Sequence, residues 1–201
     1  LREVVDGICL LIDNPEAGLP DIMEHIKGPD FPTKGVIMGR AGIRAAYSTG
    51  RGKITLRAKT EIVEKKNGRF EIQVTEIPYM VNKARLIERM ADLVKEKKVE
   101  GISGLRDESD RNEQVRIVIE LKKDANADVV LNQLYKNCSL QDACCANMLA
   151  LVPDSEGKLE PKLVGLKEAL YYYIKHQEDV VTRRTQYDLE KDEAKKHIDE
   201  G

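Results

Sequence analysis

The sequence has no tryptophan, and phenylalanine and tyrosine together make up 4% of it. So few rings, with 34% of residues charged, suit a protein with extended helical parts better than a compact sandwich. No apolar run approaches the roughly 18–20 residues of a membrane span, and no signal-type segment opens the chain, so no membrane partner is expected. The cysteines at 9, 138, 144 and 145 show no CxxC spacing, and neighbours such as Cys144 and Cys145 do not easily pair with each other. They read as reduced thiols of a cytosolic protein. His25, His176 and His197 stand apart, without an acid or thiol at ligand spacing, so neither a metal site nor a histidine catalyst is expected.

One further absence is the most informative. Residues 31–60 contain no Asp or Glu, although the chain has 35 acids in 201 residues. Simple proportion would place about five there. The same window holds seven bases: Lys34, Arg40, Arg44, Arg51, Lys53, Arg57 and Lys59. The formal net charge is −2, so affinity for a polyanion must come from such local asymmetry. A solvated basic surface is the alternative.

Taken in order, Val4, Val5, Ile8, Leu11 and Ile12 fall on one helical face, which Asn14-Pro15 ends. Leu19, Ile22, Met23 and Ile26 suggest a second short helix, with Pro20 in its first turn. The link from Gly28 to Thr33 holds two prolines and marks a boundary. Val36 to Met38 reads as a short strand, and Ala41 to Tyr47 as a short helix closed by Gly50. From Lys53 to Val63 the residues alternate. Ile54, Leu56, Ala58, Thr60 and Ile62 take one face; Lys53, Thr55, Arg57, Lys59 and Glu61 take the other. Three bases then line one exposed strand face.

Asn67-Gly68 marks a hairpin. A two-residue loop would oppose Ile62 to Gln73 and flip the apolar face; a three-residue loop, 66–68, pairs 62 with 72 and 64 with 70. The second register is expected, with Gly68 left-handed in a G1-type bulge. Lys83 to Lys98 reads as a helix capped by Asn82, with Ile87, Met90, Ala91 and Val94 inward. Residues 101–112 look like a polar loop, in which Arg106 and Arg111 balance Glu108 and Asp110. A strand follows at Val115 to Leu121. Asp124 can cap a helix carrying Ala127, Val130, Leu131, Leu134 and Tyr135, and Met148 to Val152 makes a last strand. The expected fold class is α+β, a mainly antiparallel sheet with packed helices.

Beyond Leu163 a seven-residue period appears in Leu166, Tyr173, Val180, Tyr187 and Ala194. It predicts a long C-terminal coiled-coil helix of about 35 residues, roughly 50 Å at 1.5 Å per residue. Tyr171, Tyr172 and Tyr173 should pack at its root.

Gly50-Arg51-Gly52-Lys53 suggests a phosphate loop but lacks the GxxxxGK[ST] spacing and leads into a strand, not a helix. The better functional reading is that the glycines let the backbone approach a phosphate contacted by Arg51 and Lys53.

Several longer motifs carry a resemblance: Glu76-Ile-Pro-Tyr-Met-Val-Asn-Lys-Ala-Arg-Leu-Ile-Glu88, Val99-Glu-Gly-Ile-Ser-Gly-Leu-Arg-Asp-Glu-Ser-Asp110, Gly28-Pro-Asp-Phe-Pro-Thr33, Tyr47-Ser-Thr-Gly-Arg-Gly-Lys53 and Val180-Val-Thr-Arg-Arg-Thr-Gln186. Together they resemble, over the full chain, the DNA-cleaving subunit of bacterial type IIA DNA topoisomerases. The A subunit of DNA gyrase is nearest, and its paralogue in topoisomerase IV shares several of the motifs. The resemblance implies a segment of a longer cytoplasmic, chromosome-associated protein: residues 1–34 as the tail of a winged-helix region, 35–165 as a tower domain and 166–201 as the first coiled-coil helix. It implies three partners: duplex DNA, a second copy of the same protein, and an ATPase subunit of gyrase B type. ATP and Mg²⁺ would sit on the last of these, with no cofactor in this chain. The family's nucleophile is a Tyr directly after an Arg. None of the seven tyrosines here follows an Arg, so no catalytic residue is expected and the nucleophile should lie upstream of Leu1. The tower in this family supports the flanking arm of the gate DNA. The candidate DNA contacts are Arg44, Arg51, Lys53, Arg57, Lys59 and Lys83; a structural spacer carrying the arm is the alternative.

Overall fold

The structure, a computed structural model describing residues 1–200, shows the alternation from Lys53 to Val63 divided between two sheets. The elements are α1 (Arg2–Asp13), α2 (Leu19–His25), β1 (Val36–Ile37), α3 (Ala41–Thr49), β2 (Arg51–Arg57), β3 (Lys59–Glu64), β4 (Phe70–Glu76), α4 (Lys83–Lys95), β5 (Ile102–Asp107), β6 (Ile117–Leu121), α5 (Ala127–Asn137), β7 (Gln141–Asn147), β8 (Leu149–Pro153), β9 (Leu159–Leu163) and α6 (Leu166–Glu200). Strands order as β1-β2-β7, β3-β4-β6-β5 and β8-β9. The pairs β1–β2, β3–β4, β4–β6, β5–β6 and β8–β9 are all antiparallel, as the α+β expectation requires.

Two compact units form. One contains residues 29–43 and 53–146. Its core lies between the four-stranded sheet and two helices. Ile72, Val74, Ile117, Ile119 and Leu121 face Leu86, Met90 and Leu93 of α4 and Val130 and Leu134 of α5. The buried line of α4 is thus Leu86, Met90 and Leu93, one position from the expected Ile87 and Val94, which pack at its margin. Truncating such a residue to Ala costs about 2–5 kcal/mol. Asn82 caps α4 as expected, its Oδ1 accepting the Arg85 N–H at 3.0 Å. Asn126, not Asp124, caps α5, accepting from Asp128 and Val129. The β3–β4 hairpin has the expected register: Ile62 pairs with Ile72, Glu64 with Phe70, and Gly68 has φ of 74°.

Within 101–112, Ile102–Asp107 is a strand instead of the expected loop, held at the sheet margin by pairing with β6. The break at Ala58 is where the chain changes sheets. Its side chain is buried, and its N–H bonds Leu140 O at 2.8 Å, the last bond to the β7 side before the chain enters β3. Lys59 therefore belongs to a different sheet from Lys53 and Arg57.

The other unit contains residues 1–28, 44–52 and 147–201. Helices α1, α2 and α6 pack together there, burying Leu11, Ile22, Ile26 and Leu170. The apolar face of α1 is narrower than expected, since Val5 and Ile12 stay 48% and 59% exposed. Helix α6 runs unbroken for 35 residues. Tyr171 and Tyr173 are about half-exposed, and the buried anchor at its root is Leu170 instead. Gly50 is left-handed (φ 81°), and a Cβ there would lie 2.6 Å from Val164 O. Its N–H donates to Ala46 O and its carbonyl accepts from Met148 N–H, each at 2.8 Å. Packing accounts for this glycine, and its backbone groups are not free for a phosphate.

Candidate nucleic-acid interface

Strand β2 lies between β1 and β7. Its burial follows the pleat. Ile54 and Leu56 are buried on one side, while Arg51 and Lys53 are exposed and Thr55 and Arg57 half-buried on the other. Bonds at the two ends of the β2–β7 pair, Ala58 N–H to Leu140 O and Met148 N–H to Gly50 O, make it antiparallel. These two bonds fit a single register, in which Gln141, Ala143 and Cys145 stand opposite Arg57, Thr55 and Lys53. On the other flank Val36 pairs with Arg57. Strand alternation turns Asp142 to the opposite face, so the strand residues of this open face include no acid. The acid-poor window of the sequence has become a strand face with neutral neighbours on β7.

Arg57 is held without being neutralised. Its Nε donates to Gln141 Oε1 at 2.5 Å, and its guanidinium carbon sits 4.4 Å from the centre of the Tyr135 ring. The Tyr135 hydroxyl is 3.0 Å from the Thr60 hydroxyl. Among the described residues no carboxylate pairs with Arg57 or with Lys53. Nothing local in the sequence marks Tyr135 or Gln141, which stand 78 and 84 positions from Arg57 and meet it only through the fold.

The other candidates are placed differently. Arg44 is exposed on α3. Lys59, on β3, is 63% exposed and lies 3.9 Å from Glu76. Lys83 opens α4 and is committed to Asp107 at 2.9 Å. The structure thus gathers Arg51, Lys53 and Arg57 on one strand and disperses Arg44, Lys59 and Lys83.

The outer side of the four-stranded sheet makes a contrast, because its bases are consumed by acids. Lys65 lies 3.2 Å from Glu71 and 3.1 Å from Glu120, and Arg106 pairs with Glu108 and Glu120. A Gln73 hydrogen bond and Lys65 hold the Glu71 carboxyl below the ordinary range against its burial. The Ser109 hydroxyl, then Lys83, lower Asp107 to about 2. In the acidic loop Arg116 takes the place expected of Arg111, bonding Glu108 and Glu113. Asp110 accepts the backbone N–H groups of Asn112 and Glu113. Among the described residues no three His, Cys, Asp or Glu side chains gather as metal ligands, and no helix is long and apolar enough to cross a membrane.

The family model for the A subunit of DNA gyrase/topoisomerase IV matches residues 1–201. The chain is 61% identical over its whole length to the DNA gyrase A subunit of Clostridium acetobutylicum, 58% to that of Halalkalibacterium halodurans and 52% to that of Staphylococcus epidermidis. It spans 24%, 23% and 22% of those relatives. By the full-length match to that model and these identities, the chain belongs to the family of DNA gyrase/topoisomerase IV A subunits.

Proposed function

We propose that the open face of β2 holds the backbone of duplex DNA, and that the chain serves as a DNA-supporting segment of a gyrase-type A subunit. The observation that carries this is that Arg51, Lys53 and Arg57 share one strand, with no acid among the strand residues of that face and none of the three ion-paired among the described residues. The names of the relatives at 52–61% identity favour gyrase over topoisomerase IV. In this reading covalent attack by tyrosine occurs elsewhere in the full-length protein, ATP and Mg²⁺ belong to its partner, and this segment keeps a flanking arm of DNA in place. Nothing on the face is built to read bases. It has no recognition helix and no aromatic ring interleaved for stacking, and phosphate contacts position DNA without reading its sequence.

The test is duplex binding against salt. If three to five phosphates are neutralised, log K falls with log salt at a slope of roughly −3 to −4.5, with Kd in the ~10⁻⁴–10⁻⁶ M range of non-specific binding. The triple variant Arg51→Glu, Lys53→Glu, Arg57→Gln should lose binding and keep its helical circular dichroism. Arg57 is neutralised, not reversed, because it is half-buried against Tyr135. Unchanged affinity of this variant at low salt makes the face a solvated surface, and the segment a spacer carrying α6.

A further inference from the structure

We propose that Tyr135 and Gln141 are positioning residues that preset Arg57 as a planar fork for one DNA phosphate. This rests on the reading that the β2 face holds a duplex. A guanidinium has five N–H donors in one plane. Here Nε is engaged by Gln141, and the ring of Tyr135 supports the group from one side. That leaves the four donors on the two terminal nitrogens for a ligand. Two parallel donors in a fixed plane suit a phosphate, whose oxygens they can address together.

The choice of partners is the decisive observation. Elsewhere in this unit bases are fixed by carboxylates: Lys83 by Asp107, Arg106 by Glu108 and Glu120, Arg116 by Glu108 and Glu113. Arg57 alone among these is fixed by a neutral amide and a neutral ring, so its orientation is set and its full charge remains. Three elements besides its own converge to do this: α5 supplies Tyr135, β7 supplies Gln141, and β3 supplies Thr60, whose hydroxyl ties the Tyr135 ring down. Side-chain freedom that a phosphate contact would remove is already lost on folding, which favours binding. A plain staple between β2 and α5 would use a carboxylate equally well. The difference between these two roles can be measured.

The experiment compares Arg57→Ala, Tyr135→Leu, Gln141→Leu and Gln141→Glu with the unaltered 201-residue chain. Each is titrated with a fluorescent duplex of mixed sequence over a salt series, and its thermal midpoint is recorded. Arg57→Ala should weaken binding about 3- to 10-fold and make the salt slope shallower by about 0.9, one phosphate contact. Tyr135→Leu and Gln141→Leu leave the net charge unchanged. They should weaken binding at least ~3-fold with a similar loss of slope, and add nothing in the Arg57→Ala background. Gln141→Glu separates the two roles, because it strengthens the staple while cancelling the charge. It should bind as poorly as Arg57→Ala with an equal or higher thermal midpoint. If Arg57→Ala weakens binding but Tyr135→Leu and Gln141→Glu keep the unaltered affinity and slope, the positioning role is overturned and the basic face stands. If Arg57→Ala binds as well as the unaltered chain, the phosphate contact is overturned. Lys53→Ala then reports separately on whether the face binds DNA at all.

Discussion

Two bases in the same unit show how a side chain's partner decides its use. Lys83 and Arg57 are equal candidates by charge. Lys83 is bound to a carboxylate and Arg57 to an amide and a ring, so only the second keeps a free charge. The partner of Lys83 has its own signature. Asp107 has a folded pKa of about 2 against an ordinary 3.8, set first by the Ser109 hydroxyl and then by Lys83. A depressed carboxylate contributes stability that is full above pH 4 and is lost as pH falls through 2. The thermal midpoint of the unaltered chain should therefore fall more steeply between about pH 4 and pH 2 than that of Asp107→Asn. Parallel curves would mean that these contacts add no stability. At this scale the sequence shows what a single residue does to its own backbone: Asn82 as a cap, Gly68 as the left-handed turn position. It does not show Tyr135 beneath Arg57, because that contact is made across elements far apart in the chain. Gly50 is visible as a glycine, but its reason, the close Val164 carbonyl, is not.

Among elements, pattern carries furthest where one face is buried. The β3–β4 register follows from keeping Ile62 and Ile72 on one side, and any slip would expose them. Strand β5 escapes the pattern because Ser103 and Gly104 are poor strand formers; β6 imposes its conformation through pairing. The division of the Lys53–Val63 alternation is invisible for another reason. The period of two continues through Ala58 while the chain changes sheets, and periodicity carries no information on which sheet a strand joins. In α6 the seam is legible and its surroundings are not. Leu170 is docked, but from Val181 to Ile198 every residue is exposed, with ion pairs such as Arg183–Asp179 at 2.8 Å along it. Such pairs add about 0.3–0.5 kcal/mol each, too little to hold an isolated helix end. Amide exchange should be slow through Ile174 and fast beyond about Arg184 in dilute solution. Protection of 184–198 that rises with concentration would indicate that the seam pairs with a second copy; uniform slow exchange at every concentration contradicts both expectations.

At the scale of the molecule, the path of the chain matters more than its composition. One unit is assembled from three separated segments, 1–28, 44–52 and 147–201, while most of the other is a single run, 53–146. The long run carries the larger hydrophobic cluster and two α-helices on a four-stranded sheet, so it has what it needs to fold by itself. Folding it places Lys53 and Ala146 near the same ends of β2 and β7. That closes a loop which, left open, would cost the discontinuous unit about 4 kcal/mol of chain entropy to gather its pieces. The order of assembly follows: the continuous run first, the three-part unit second. Pulsed hydrogen exchange during refolding should protect the amides of β4 and β6 before those of α1 and the first turns of α6. Simultaneous protection would mean that the segments find one another without that help. During synthesis the consequence is a delay. Helices α1 and α2 are made before the rest of this segment, and some 140 residues are added before α6 arrives to pack with them.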